Sequence, residues 1–378
     1  MKTHHNQSID QFFFIVTILL IGIGFVIQYS ASSSLAAAKF NDPGFYMRGH
    51  FIRLVSGFLV GLFFLKLNYH HLEKFAFWLV LLAMLTLILT LIINRTGNSA
   101  TARWLQLGPF RFQPSELAKF ALIVYLASFF DRHQQDIDNF RKGFLPPAII
   151  MTVMMVLIVI EPDFSTGAVI AFISILIMVI AGTKLIYLSP FAGLFIIFSI
   201  ITVIRSPYKM RRILSAFSNE ADLQGAGYQI NQSLITLGNG GFWGRGLAGS
   251  VEKNLFLPEP HTDFVFSVAG EEFGFIGALF LMVLFLALFI RGIQISVRSA
   301  TVFGNLVGSG LALSMFIYVL ANVGVVTGIL PVTGLPLPFL SYGGSAMLYN
   351  FACIGILLNI SKTMISKEKP LRLVTING

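Results

Sequence analysis

The chain has one cysteine, Cys353, in 378 residues, which excludes an intramolecular disulfide and a thiolate metal cluster. Charge is scarce too. Asp, Glu, Lys and Arg together make up 11% of the residues, under half the share of about 25% found in ordinary soluble domains. No repeat of fixed period is visible, and there are no weakly alternating segments of about ten residues, which argues against a transmembrane barrel. Acid is outnumbered by base, 17 Asp and Glu against 26 Lys and Arg, and the formal charge of +9 suits anionic lipid headgroups better than nucleic acid.

What the sequence does have is hydrophobic length. Hydrophobic residues make up 56%, and continuous Leu, Ile, Val and Phe runs recur at about the 20 residues that cross a bilayer core of about 30 Å. Helices pair every backbone group while spanning in this way. The expected fold is therefore all-α: one polytopic membrane domain over residues 1–378. About ten transmembrane helices are expected near 12–30, 51–67, 75–94, 115–130, 145–160, 165–182, 185–204, 264–290, 302–326 and 343–361. A large extracytoplasmic insertion, about residues 205–263, separates helices 7 and 8. The first span follows a mildly basic start and precedes the small residues Ala31–Ala38, as a signal peptide would. Its apolar stretch Phe12–Ile27 is at the long limit of a cleavable one and reads as a retained helix. Ten spans put both termini on one side. With the long insertion discounted, the basic residues of the short loops favour cytoplasmic termini by about two to one.

Polar groups in such a chain mark either neutralised structure or a site. Ser115-Glu116-Leu117-Ala118-Lys119 sets an acid and a base three apart on one helix face, where they either neutralise each other or touch substrate. Ser115 suits the start of that helix, in competition with Pro114. Glu161-Pro162-Asp163 makes a very short turn on the side of the insertion. Its acids, Asp163 above all, either cap the next helix or point into a shared cavity. Within the insertion, Tyr208–Phe217 groups Lys209, Arg211 and Arg212 with apolar residues, as a surface-lying helix does; these cations hold either acidic phospholipid or a pyrophosphate. Gly225–Ser233 and Gly238–Gly246 read as glycine-rich loops whose N–H groups can approach a sugar or phosphate.

The insertion closes on Leu257-Pro258-Glu259-Pro260-His261-Thr262-Asp263-Phe264, which carries acids and a histidine to the lip of an apolar helix. Asp263 either caps a helix beginning at Phe264 or serves a site. The last outer segment, Leu330–Ser345, is apolar, yet its three prolines and its glycines rule out a regular helix. Irregular backbone at membrane depth is tolerated where protein buries it or where it lines a cavity. This segment is therefore expected to line the same cavity as Asp263, with Thr333, Ser341 and Ser345 offering hydroxyls.

In chain order, four stretches resemble the FtsW/RodA/SpoVE family of bacterial shape, elongation, division and sporulation proteins. They are Arg103-Trp104 through Gln113-Pro114-Ser115-Glu116-Leu117-Ala118-Lys119, Gly225-Ala226-Gly227-Tyr228-Gln229, Leu257 to Gly274, and Pro331 to Ser345. The resemblance covers essentially the whole chain. Lys253 ahead of Leu257-Pro258-Glu259, and the wording of Gln224–Gln229, are closer to the division branch than to the elongation branch. Ala346 replaces a frequent second serine, and Asn239 stands where serine is usual; neither touches Asp263.

The resemblance implies a peptidoglycan glycosyltransferase that polymerises lipid II at the outer face of the bacterial cytoplasmic membrane. It also implies work beside a class B penicillin-binding protein and other divisome or elongasome membrane proteins. It places the catalytic aspartate on Asp263. A sugar 4-hydroxyl attacks an anomeric carbon and expels a diphosphate that is already a competent leaving group, so one base suffices. An α-linked donor giving a β-1,4 product implies inversion. Arg103, Lys119, Arg211, Arg212, Arg245 and Lys253 are the cations expected to steady the diphosphate. Gln113, Ser115, Glu116, Asp163, Tyr228, Gln229, Gln232, Glu259, His261, Thr262, Ser341 and Ser345 are the other expected substrate contacts. No protein-only metal cage is evident, so a divalent cation, Mg²⁺ or Mn²⁺, would be bound through the substrate's diphosphate. The rival readings are a lipid II flippase, against which the lack of inverted repeats weighs, and a scaffold recruiting the transpeptidase, which would not require Glu259, His261 and Asp263 together.

Overall fold

The computed structural model describes residues 8–94, 103–108, 110–161, 163–190, 193, 226–251 and 257–364. Its helices are α1 (Gln11–Phe40), α2 (Phe45–Lys66), α3 (His70–Asn94), α4 (Pro114–Arg132), α5 (Leu145–Ile160), α6 (Phe164–Ile180), α7 (Ala226–Gly240), α8 (Val265–Val297), α9 (Val302–Val326) and α10 (Gly344–Ser361). Every expected span falls on one of these helices except 185–204. Residues 185–190 of that span are helical and most of the rest lies outside the described residues. Among the described residues, seven helices are long and apolar enough to cross a membrane. The buried share of the span rises from 17% in α2 to 89% in α10, so α10 runs through the centre of the bundle and α2 along its lipid-facing side.

Two elements depart from the sequence reading. Leu105–Leu107 (β1) and Phe110–Phe112 (β2) pair antiparallel, Leu105 opposite Phe112; strands of three residues are too short to show a period of two. Gly225–Ser233 was expected as loop, but α7 starts at Ala226. Ile230, Ser233, Thr236 and Leu237 recur on one face of it, and Ser233 and Thr236 are fully buried. Ser233 Oγ donates to the Val326 carbonyl at 2.8 Å and meets Ser267 Oγ at 2.7 Å, which fastens α7 to α8 and α9.

The glycine run after α7 has a specific task. Helix α8 breaks at Gly274, whose φ of 68° and ψ of −170° interrupt the hydrogen-bond ladder. The freed carbonyls of Glu271 and Glu272 accept from the N–H groups of Arg245 and Gly246, both at 3.0 Å, and Phe275 N–H donates to the Gly241 carbonyl at 2.9 Å. A Cβ on Gly274 would lie 2.3 Å from the Gly244 nitrogen, so the two backbones meet only because side chains are absent.

At the end of the bundle away from Asp263, Asp10 caps α1 by accepting from Phe13 N–H at 2.9 Å. Its carboxylate also accepts from Arg291 Nη2 at 2.7 Å and Nε at 3.0 Å, and its own N–H donates to Ser361 Oγ at 3.0 Å. One aspartate thus ties α1, α8 and α10. Arg291→Met leaves that buried carboxylate unpaired and is expected to cost about 2 kcal/mol. Thermal unfolding in detergent checks this, and an unchanged midpoint would show that the clasp contributes nothing.

Candidate active site

The start of α4, the turn between α5 and α6, the turn before α8 and the segment before α10 meet at one end of the bundle. Asp163 is the N-cap of α6 and is 2% exposed. Its Oδ1 accepts from Thr166 N–H at 3.4 Å, and its Oδ2 accepts from Gln113 Nε2 at 2.9 Å and Ser115 Oγ at 3.4 Å. Arg103 Nη1 lies 3.8 Å from Oδ1. Asp163 therefore caps α6 and also joins a charged cluster with Arg103. Glu161, in the same turn, is 1% exposed, and among the described residues neither carboxyl oxygen has a hydrogen-bond partner. Burial first, and the charge of Asp163 second, push its pKa up to about 8.

Helix α8 begins at Val265 with Phe264 in the N-cap position, so Asp263 stands one residue outside the cap. Asn322 of α9 donates through Nδ2 to the Asp263 carbonyl and to the Leu335 carbonyl, both at 2.9 Å. Ser341 Oγ donates to the Thr262 carbonyl at 2.6 Å and accepts from Leu337 N–H at 2.8 Å. Tyr342 N–H donates to the His261 carbonyl at 2.9 Å. The irregular segment before α10 is thus clamped to the turn that carries Asp263. At its bend Gly334 has φ +71°, and a Cβ there would lie 3.7 Å from Asp263 Oδ2 and 4.0 Å from Arg103 Nη2. Arg103, 37% exposed, pairs with Asp163 on one side and shares the surroundings of Asp263 on the other.

Other expected contacts take different places. Glu116 and Lys119 pair at 2.8 Å, 4% and 2% exposed, and Lys119 Nζ sits 3.7 Å from the ring centroids of both Tyr318 and Tyr349. That enclosure favours the neutralising role over direct diphosphate contact. Ser345 Oγ accepts from Gln113 N–H at 2.9 Å, so the hydroxyls of Ser341 and Ser345 hold loops together. Thr262 Oγ1 donates to the Glu259 carbonyl at 3.2 Å, and Glu259 turns outward, its side chain 59% exposed. His261 is buried, with its ring centroid 4.5 Å from that of Tyr46. Burial lowers its pKa against the opposing pull of Glu259. Arg245 is drawn to Glu271 Oε1 at 3.5 Å and to the Asn239 carbonyl at 3.1 Å, where it serves the α8 break. Tyr228, Gln229 and Gln232 lie on α7 and are half-buried. Arg211, Arg212 and Lys253 lie outside the described residues. Asn322, Tyr318 and Tyr349 were not singled out from sequence, although an Asn within an apolar helix is itself a signal.

These features define a multi-pass membrane protein with a charged site at one end of its bundle. The chain belongs to the FtsW/RodA/SpoVE family: that family's model, described as a cell cycle protein, matches residues 10–365. Among curated proteins it is 37% identical over 370 residues to stage V sporulation protein E of Bacillus subtilis (strain 168), covering 95% of this chain and 99% of that one. It is 38% identical over 368 residues to the probable peptidoglycan glycosyltransferase FtsW of Coxiella burnetii, covering 95% and 98%. Its fold matches a chain from a solved structure on the coordination of polymerization and crosslinking by a peptidoglycan synthase complex, with TM-score 0.76 and 25% identity over 95% of this chain and 99% of that one. It also matches the rod shape determining protein RodA of Thermus thermophilus, with TM-score 0.70, 25% identity and the same coverage.

The Glu161 carboxyl fixes a pH dependence. Its folded pKa, about 8, lies above the ordinary value of 4.5, so the stability associated with its protonated form is complete below the ordinary value and is lost as pH rises towards the folded one. Glu161→Gln is expected to flatten the fall in thermal midpoint between about pH 4.5 and about pH 8. Identical pH profiles for the variant and the wild type would refute this assignment.

Proposed function

We propose that this chain is a peptidoglycan glycosyltransferase that polymerises lipid II into glycan strands and releases undecaprenyl pyrophosphate. It works in the bacterial cytoplasmic membrane with both termini in the cytoplasm and Asp263 at the outer face. The relatives named as peptidoglycan glycosyltransferases support this reading. The observation that carries it is that the Asp263 carboxylate and the Arg103 guanidinium both border Gly334, 3.7 Å and 4.0 Å from where a Cβ on it would lie.

In this mechanism the Asp263 carboxylate takes the proton of a sugar 4-hydroxyl. As the new C–O bond forms at the anomeric carbon of the second sugar, the bond to its diphosphate breaks and the electron pair leaves with the diphosphate. In this reading Arg103 receives the charge that develops there. Among the described residues no three His, Cys, Asp or Glu side chains converge on a cation position, so a divalent cation would be held by the diphosphate itself. The partner is a class B penicillin-binding protein that cross-links the new strand, with other divisome or elongasome proteins around it; the likeness to a chain of a peptidoglycan synthase complex supports this.

Purified lipid II, presented in liposomes to the chain and its transpeptidase partner, is expected to yield glycan polymer. Asp263→Asn should lower turnover by about 10²–10⁴-fold while the protein stays folded and partner-bound. Equal polymer from the variant would sink the base role, and lipid II crossing the bilayer without polymer would replace the reading with a flippase. Gly334→Ala places a methyl against both Asp263 and Arg103 and strains a left-handed residue by about 1–2 kcal/mol. Its polymer yield should fall well below wild type, and an unchanged yield would place the reacting groups elsewhere.

A further inference from the structure

Arg53 lies in α2 about 12 Å along the helix axis from its start, on the side of the bundle where Tyr46 packs on His261. Its guanidinium covers the Tyr342 ring at 3.9 Å. It makes no ion pair among the described residues, and its Nη1 is buried without a hydrogen-bond partner. Around it the deficit continues. His50 is fully buried, both its ring nitrogens lack a hydrogen-bond partner among the described residues, and its ring centroid lies 6.3 Å from that of Tyr342. Among the described residues His261 Nδ1, which the charge of Arg53 also reaches, has no hydrogen-bond partner either. An unpaired buried polar group costs about 1–3 kcal/mol, more when charged, so several together imply a polar occupant.

The chemistry of that occupant follows from the backbone. A Cβ on Gly344, the first residue of α10, would lie 3.4 Å from Arg53 Nε. The N-cap of α10, Gly343, supplies no side-chain acceptor, so the first turn of this helix offers N–H groups and the positive end of its dipole beside the cation. The charges of Lys39 and Arg53 both bear on His261 as well. A guanidinium, a helix N-terminus and unpartnered buried donors form an anion site of the kind phosphate oxygens fill.

Polymerisation brings together two lipid-linked sugars, each with its own diphosphate. The leaving diphosphate departs from the carbon under attack, close to Asp263 and hence to Arg103. The other stays on the acceptor, separated from the attacking hydroxyl by the length of the sugar unit. We infer that Arg53 and the N-terminus of α10 bind the retained diphosphate of the acceptor lipid. This rests on the glycosyltransferase reading for the identity of the lipid, while the phosphate chemistry rests on the site alone.

The test compares wild type, Arg53→Gln and Arg53→Lys as purified full chains, with undecaprenyl pyrophosphate and phosphatidylglycerol as separate probes in native mass spectrometry. In parallel, KM and kcat for lipid II are measured with the partner present. Arg53→Gln is expected to weaken undecaprenyl pyrophosphate binding and raise KM by at least about tenfold, with kcat nearly unchanged. Arg53→Lys, which keeps the charge over Tyr342, should recover most of the loss and serves if the glutamine variant fails to fold. Equal binding of undecaprenyl pyrophosphate by all three proteins overturns the inference. Loss of phosphatidylglycerol alone overturns the acceptor assignment and makes this a bulk-lipid headgroup site. If wild type makes no polymer, the enzymatic reading fails, whereas the binding arm still decides whether Arg53 holds a diphosphate.

Discussion

Arg103 is the cation on which the charged end of this molecule depends. Asp163, Glu161 and Asp263 stand near one another at the edge of an apolar bundle, where an ionised carboxylate is costly unless it is paired or hydrogen-bonded. Asp163 has Arg103 at 3.8 Å and three hydrogen-bond donors. Among the described residues Glu161 has no hydrogen-bond partner, and burial first, then the charge of Asp163, raises its pKa. Asp163 thus has a cation and donors beside it that Glu161 lacks among the described residues. The same guanidinium extends to the surroundings of Asp263, which is where negative charge would develop and leave.

Holding those groups still requires backbone that is not helical, and such backbone must find partners inside the protein. The segment before α10 finds them in Asn322, Ser341 and the turn that carries Asp263. The break in α8 at Gly274 finds them in the glycine loop after α7. The two departures from regular helix flank the residues from Asp263 to Gly274, so the positions that break local rules coincide with the site. The clasp of Asp10, Arg291 and Ser361 closes the far end of the same helices.

The spans were legible because hydrophobic length is a strong signal, and the irregular segment because proline and glycine leave few alternatives. The Glu116–Lys119 pair was legible from spacing alone. What the sequence hid was contact across chain distance. Nothing near Lys119 announces that Tyr318 and Tyr349 enclose it, and nothing in Ser341 or Ser345 distinguishes a hydroxyl that holds a loop from one that meets substrate. Helix α7 was hidden because glycine on both sides of it outweighed a short amphipathic face. Arg245 looked like a free cation until the carbonyl groups released by the α8 break gave its segment a structural task.

The most direct test of this account is a double-mutant cycle on lipid II polymerisation, with Arg103→Gln and Asp163→Asn measured singly and together in the partnered protein. If Arg103 acts from the position that Asp163 gives it, the double variant should be no slower than the slower single one. Losses that multiply would show that the two residues act independently, and would contradict a site organised around their pairing.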